Sequence, residues 1–223
     1  AQAAMRRFPA SANRPTLMLV SARALFFDEK YGKSAAAFGR FSEAYPAHSD
    51  AAQARYQKGY AHEILGEYEA AADAFRGMAT QFPEHGLVAD ALYRAGENLY
   101  NASRFEDALT VFLQVVDSHP RTEAAQKALY SASWTYMDLD SEKESLAAMQ
   151  RLVKEYPRSG FARFAQFSIG DYYYSKKRFD DARAAYQKVI RLYPGTDESD
   201  KAQILLGDVR EDLASLAYEG AFE

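Results

Sequence analysis

Residues able to do chemistry are plentiful in this 223-residue chain, but none are spaced for a reaction. Of the four histidines, His48 and His85 stand 37 residues apart, an interval that recurs below and accounts for their placing without a metal; His62 and His119 have no His-Glu-x-x-His spacing. Carboxylates fall in neighbouring pairs such as Asp28-Glu29 and Asp180-Asp181, at turns and helix starts where solvated charge is expected. Serine, histidine and aspartate all occur, but a triad is defined by geometry rather than by composition. No glycine-rich run precedes a Lys-Ser or Lys-Thr pair, so no phosphate loop is expected. The absence of cysteine removes disulfides, thiolate zinc sites and a cysteine nucleophile together. The expectation is a protein with no catalytic residue, no metal ligand and no cofactor.

Binding is a different matter, because the chain carries 16 tyrosines, 14 phenylalanines and one tryptophan in a regular pattern. Six of its seven prolines, Pro9, Pro46, Pro83, Pro120, Pro157 and Pro194, are spaced 37 residues apart, and five of the six follow an aromatic residue. Other columns keep the same period. Small residues recur at Ala22, Gly59, Gly96, Ser133, Gly170 and Gly207, and again at Ser34, Ala71, Ala108, Ser145 and Ala182. Four residues after the second set stand Phe38, Phe75, Phe112, Met149 and Tyr186.

The period predicts a repeated helical hairpin. Tyr68, Ala71, Ala72, Phe75, Met78, Ala79 and Phe82 mark the stripe of an amphipathic helix, and Phe105 to His119 repeat it. Each second helix should end at the aromatic-proline pair, since proline pushes the preceding residue out of the helical region. Ser49, Thr122, Ser159 and Thr196 then offer N-caps to the next first helix. A single hairpin cannot bury its apolar face, so neighbours must stack into an all-α solenoid of antiparallel helix pairs. Complete hairpins are expected at 15–46, 52–83, 89–120, 126–157 and 163–194, with a partial repeat at 1–9 and a partial or capping repeat at 200–223, as in a fragment of a longer array. The 126–157 repeat departs most, through Ser133, Glu142 and Met149, and is expected to pack least tightly.

Tyr56, Gly59, Gly66, Tyr68, Ala71, Phe75 and Pro83, or Tyr93, Gly96, Phe105, Ala108, Phe112 and Pro120, resemble the tetratricopeptide signature. The usual period is about 34 residues, and the three additional residues fit the loop after proline. Tyr156-Pro157-Arg158-Ser159 and Tyr193-Pro194-Gly195-Thr196 are similar to loops of bacterial envelope members, the Tol–Pal-associated periplasmic coordinator and the outer-membrane barrel-assembly lipoprotein. The resemblance implies a right-handed superhelix whose first helices line a concave face. On that face it places Tyr56, Tyr93, Tyr130 and Phe167 in one column, Tyr60, Glu97, Trp134 and Asp171 in a second, and Tyr100 and Tyr174 in a third. These residues either form a groove of aromatic anchors for a peptide or pack against neighbouring helices as part of the repeat. The lysines, arginines and asparagines with which co-chaperone members grip a terminal carboxylate are replaced by aromatics, acids, Gln53, Asp90 and Lys127.

Partners are therefore expected to be proteins or peptides. The net charge of −4 supplies no basic field for nucleic acid, and no apolar run is long enough to cross a bilayer. Lys176-Lys177-Arg178, the sole basic cluster, falls in a turn and is expected to be solvated. Two readings follow: a non-catalytic scaffold in a periplasmic or other cell-envelope assembly, with a cytoplasmic setting as the alternative, or the recruiting arm of a larger enzyme or transport complex. Self-association through exposed terminal repeats is a third.

Overall fold

The computed structural model describes residues 13–219, which carry eleven α-helices and no strand. The expected partial repeat at 1–9 lies outside the described residues. The chain divides after residue 125 into two compact units. In the first, α1 (Arg14–Phe27) pairs with α2 (Tyr31–Ala44), α3 (Ala51–Ile64) with α4 (Tyr68–Gln81), and α5 (Val88–Asn101) with α6 (Phe105–Ser118). The second holds most of α7 (Glu123–Asp138), then α8 (Glu142–Glu155), α9 (Gly160–Ser175), α10 (Phe179–Leu192) and α11 (Asp197–Glu219).

Proline sets the end of every second helix. Tyr45, Phe82, His119, Tyr156 and Tyr193 cap them with φ between −129° and −134° and ψ between 47° and 60°, outside the helical well. The turn inside each hairpin is equally uniform. Glu29, Gly66, Ser103, Asp140 and Lys177 all have φ between 54° and 71°, once per period. The following amide reaches back to the helix in each case, as in Lys30 N–H to Leu25 O at 2.9 Å and Arg178 N–H to Tyr173 O at 2.9 Å. Only Gly66 suits that backbone without steric cost.

Three first-helix starts carry a side-chain cap. Thr122, Ser159 and Thr196 accept from Ala125, Phe161 and Ser199 amides at 3.2, 3.3 and 3.3 Å, as their residue types predict. α3 and α5 have no side-chain cap, and the N-cap of α3 is Asp50 rather than the expected Ser49; a histidine just upstream holds the amide of the N-cap residue instead. His48 Nδ1 accepts from the Asp50 amide at 3.1 Å, and His85 Nδ1 from the Leu87 amide at 3.2 Å. The shared period of the two histidines is thus a shared backbone contact.

The two small columns form the joint between the helices of a hairpin. A Cβ at Gly59, Gly96 or Gly170 would come within 2.9, 2.5 or 2.4 Å of the ring of Phe75, Phe112 or Tyr186. All three rings are fully buried. Glycine within a helix costs about 1 kcal/mol relative to alanine, whereas burying a large ring contributes about 2–3 kcal/mol. The burial wins, so glycine is kept. Where the first helix carries a Cβ, at Ala22 and Ser133, the second small column is serine. Ser34 Oγ donates to Ala22 O at 2.9 Å and Ser145 Oγ to Ser133 O at 2.8 Å. In the 126–157 repeat Ser133, Ser145 and Met149 are all buried, so this hydroxyl bond takes the place of the glycine–aromatic contact there.

The candidate protein-binding face

In the first unit the first helices lie side by side, and their shared face is organised by Arg94. Its Nη1 donates to Glu63 Oε1 at 3.0 Å, its Nε to Asp90 Oδ2 at 3.3 Å, and its guanidinium lies 5.5 Å from the Tyr60 ring centroid and 5.9 Å from that of Tyr56. Tyr56 donates its hydroxyl to Asp90, and Asn98 Nδ2 donates to Glu63 Oε2 at 3.0 Å. Burial opposes the charge on Arg94, but Tyr56, Glu63 and Asp90 outweigh it and hold the guanidinium above its ordinary value. Burial, then the bond to Asp90, pushes the Tyr56 phenol upward. The result is a network that ties α3 to α5 and leaves one buried acceptor, Asn98 Oδ1, without a hydrogen-bond partner.

The tyrosines expected on this face are also held in this unit. Tyr56 packs edge-on against Phe75 at 5.2 Å, Tyr93 tilts against Phe112 at 6.0 Å and donates to Glu97 Oε1 at 2.7 Å, and Tyr100 lies 5.2 Å from Phe105. Tyr60 stacks on Phe26 at 5.8 Å.

An opening exists at the other end of this face, between α1 and α3. There a cavity of about 240 Å³ is lined by Leu19, Phe26, Phe27 and Phe38, with Arg23 and Gln57 among its polar residues. Phe27 is 83% exposed. The volume suits one large apolar side chain, and Arg23 offers a cation beside it.

In the second unit Tyr130 packs among Trp134, Phe161 and Phe164, at 6.2, 5.3 and 6.3 Å. Trp134 is 45% exposed and Met137, one turn on, is 39% exposed. Phe167 lies against Tyr186 at 5.8 Å, Asp171 Oδ1 accepts from the Tyr186 hydroxyl at 2.6 Å, and Tyr174 donates to Asp212 at 2.8 Å across to α11. Partial burial holds the Asp171 carboxyl above its ordinary value, and the Tyr186 hydrogen bond offsets part of that rise. Burial and the bond to Asp171 push the Tyr186 phenol upward. The basic cluster is engaged locally: Lys176 pairs with Glu142, and Arg178 pairs with Asp181 and lies 4.7 Å from the Tyr173 ring centroid.

The column of Tyr56, Tyr93 and Phe167 thus meets the buried rings of the second helices, while Trp134 offers an accessible surface. The spacing of Asp90, Arg94 and Asn98, four residues apart on one helix face, is the signal that could have revealed the Arg94 network. Phe27 carried no comparable signal, because it lies outside the three periodic columns.

A family model described as tetratricopeptide repeat matches residues 19–85 and 93–160, and a second of the same description matches 164–196. No curated protein matches the sequence. Among solved structures, MamA (41-end) from Desulfovibrio magneticus RS-1 is 21% identical over 84% of this chain and 99% of that one, with a TM-score of 0.59. YrrB, a TPR protein with an unusual peptide-binding site, is 17% identical over 89% and 96%, with a TM-score of 0.58. Pseudomonas aeruginosa pilF is 14% identical over 93% and 89%, with a TM-score of 0.59. At these identities the likeness is one of fold. Those family models together cover most of the sequence, and the chain belongs to the tetratricopeptide repeat family.

Proposed function

We propose that this chain is a non-catalytic scaffold that captures a segment of a partner protein on its first-helix face, in a bacterial cell-envelope assembly. The α1–α3 cavity carries the reading. It is an accessible apolar recess whose rim carries a cation, Arg23, and a carboxylate, Asp50, whereas Arg94, Glu63 and Asp90 on that face are engaged with one another. A large apolar side chain would fill the recess, and an acidic neighbour in the same segment would meet Arg23. The exposed edge of Trp134 is a second anchor, in the second unit. YrrB's peptide-binding site supports peptide capture as a use of the fold, and the Tyr-Pro-x-Ser/Thr loops support the envelope setting.

A photoreactive residue replacing Phe27 would trap the occupant for identification in fractionated cells. The purified partner should then bind Phe27→Ala and Arg23→Ala variants at least about tenfold more weakly, the loss typical of a central anchor. Unchanged affinity in both would remove the cavity from the reading. Recovery of the partner from the cytoplasmic fraction alone would remove the envelope setting.

A further inference from the structure

α9 packs against the second helix on either side of it, α8 and α10, and the three border an open recess of about 420 Å³. Its apolar floor includes Val153, Ile169 and Ala185, one from each helix and all buried. On α9 the lining residues Gln166, Ile169 and Tyr173 are centred about 130° around the helix from Phe167, Asp171 and Tyr174. The recess therefore lies on a different side from the expected aromatic face.

Two features of the recess point to an occupant. The first is charge. Three charged residues line it, Lys154, Asp181 and Lys188. Arg178 Nε donates to Asp181 Oδ2 at 2.7 Å, whereas neither lysine has an ion pair among the described residues. The rim is thus cationic, in a chain whose net charge is −4. The second feature is Gln166. Its Nε2 donates to Ala185 O at 3.3 Å, but its Oε1 has no partner, and the residue is 2% exposed. One and two periods earlier the same position is Leu129 and Leu92, both buried. Leucine leaves no polar atom unmet there, whereas a buried acceptor without a donor costs about 1–3 kcal/mol. A donor brought in by an occupant would offset that cost.

We propose that this recess binds an extended acidic segment of a partner protein. One apolar side chain seats over Val153 and Ile169, a carboxylate meets Lys154 and Lys188, and a backbone N–H donates to the Gln166 carboxamide, which turns toward it. Gln166 to Tyr173 spans about 10 Å along α9, the reach of about three extended residues. A peptide fits because it supplies apolar group, carboxylate and N–H donor together, whereas a simple anion supplies charge alone. The recess is separate from the α1–α3 cavity and from Trp134, so each can bind without the other.

Phage-displayed random hexapeptides, selected on the wild-type chain and depleted on Lys154→Glu/Lys188→Glu, supply the probe. Enriched sequences should carry an acidic residue within two positions of a large aliphatic one. In fluorescence anisotropy the best of them, synthesised with both ends capped, should bind each single lysine variant at least about tenfold more weakly than wild type. Circular dichroism of those variants should match wild type. Gln166→Leu separates a binding role from a structural one: affinity should fall about two- to tenfold while the thermal midpoint holds or rises. Phe27→Ala should leave this binding unchanged. No enriched peptide, or one that binds the double lysine variant as well as wild type, overturns the proposal. So does affinity that Gln166→Leu leaves unchanged. Oleate held through the two lysines, with no peptide enriched, would assign the recess to a lipid-like carboxylate and reject the peptide.

Discussion

Gly170→Ala isolates the joint between α9 and α10. The added methyl would lie 2.4 Å from Tyr186 Cε1 and 2.6 Å from Cδ1, distances that real side chains do not tolerate. The ring has little room to retreat, because it is fully buried and its hydroxyl is held by Asp171 at 2.6 Å. Overpacking of this kind costs about 1–3 kcal/mol. A strained or broken hydrogen bond to a carboxylate adds about 1–2 kcal/mol. Against this, alanine gains about 1 kcal/mol over glycine in a helix. The net expectation, combining these terms, is destabilisation by about 1–4 kcal/mol. Gly207→Ala is the matched control, since open space there leaves only the propensity gain of about 1 kcal/mol. Urea denaturation followed by circular dichroism should move the midpoints of the two variants in opposite directions. Tyr186→Leu should rescue part of the Gly170→Ala loss by vacating the clash. If the two alanine variants shift the midpoint equally, the close approach at Gly170 is not what sets its residue type.

Two further outcomes follow from local geometry. Lys177 sits at φ 56°, so Lys177→Gly should stabilise the chain by about 1 kcal/mol in thermal unfolding, whereas Gly66→Ala at φ 71° should destabilise it by a similar amount. Asp171 has its carboxyl raised in the folded state, so its ionised form opposes folding, and this group's favourable contribution is lost as pH rises through its folded value. Asp171→Asn keeps an acceptor for Tyr186; it should therefore stabilise the chain at neutral pH, with a gain that fades as pH falls through the carboxylate range.

The helical hairpins were legible because packing constrains residue size. Gly59, Phe75 and Pro83 each do a job that few other side chains could, so their types recur and the period shows. The left-handed turn residue was not legible, because the turn bonds run through backbone. Glu29, Ser103, Asp140 and Lys177 occupy the same conformation as Gly66 with unrelated side chains. The Arg94 network was hidden for a different reason. Its ion pair joins residues 31 apart, short of a full period, so alignment of repeats sets Arg94 and Glu63 in different columns. The spacing of His48 and His85 was visible, but their bonds to the Asp50 and Leu87 amides depend on ring orientation, which only coordinates supply. Phe27 shows the limit for sites: a recess is made by what neighbours leave unfilled, and no residue type encodes that.

The hairpin joint also has a bearing on how such a chain can change over generations. Glycine in the first small column goes with alanine in the second at residues 59 and 71, 96 and 108, and 170 and 182; a residue with a Cβ goes with serine at 22 and 34, and at 133 and 145. The two positions are 12 residues apart, yet they behave as one inherited character with two settings. Moving between settings one codon at a time has a preferred order. Alanine to serine can come first, because the glycine backbone leaves its carbonyl available to a new hydroxyl; glycine to alanine can follow where the facing side chain is replaced, as at Met149, or where a ring is accommodated beside the Cβ, as Phe38 is beside Ala22. Two hairpins stand at the far end of that route, one with a flexible methionine at 149 and one that keeps its ring at Phe38.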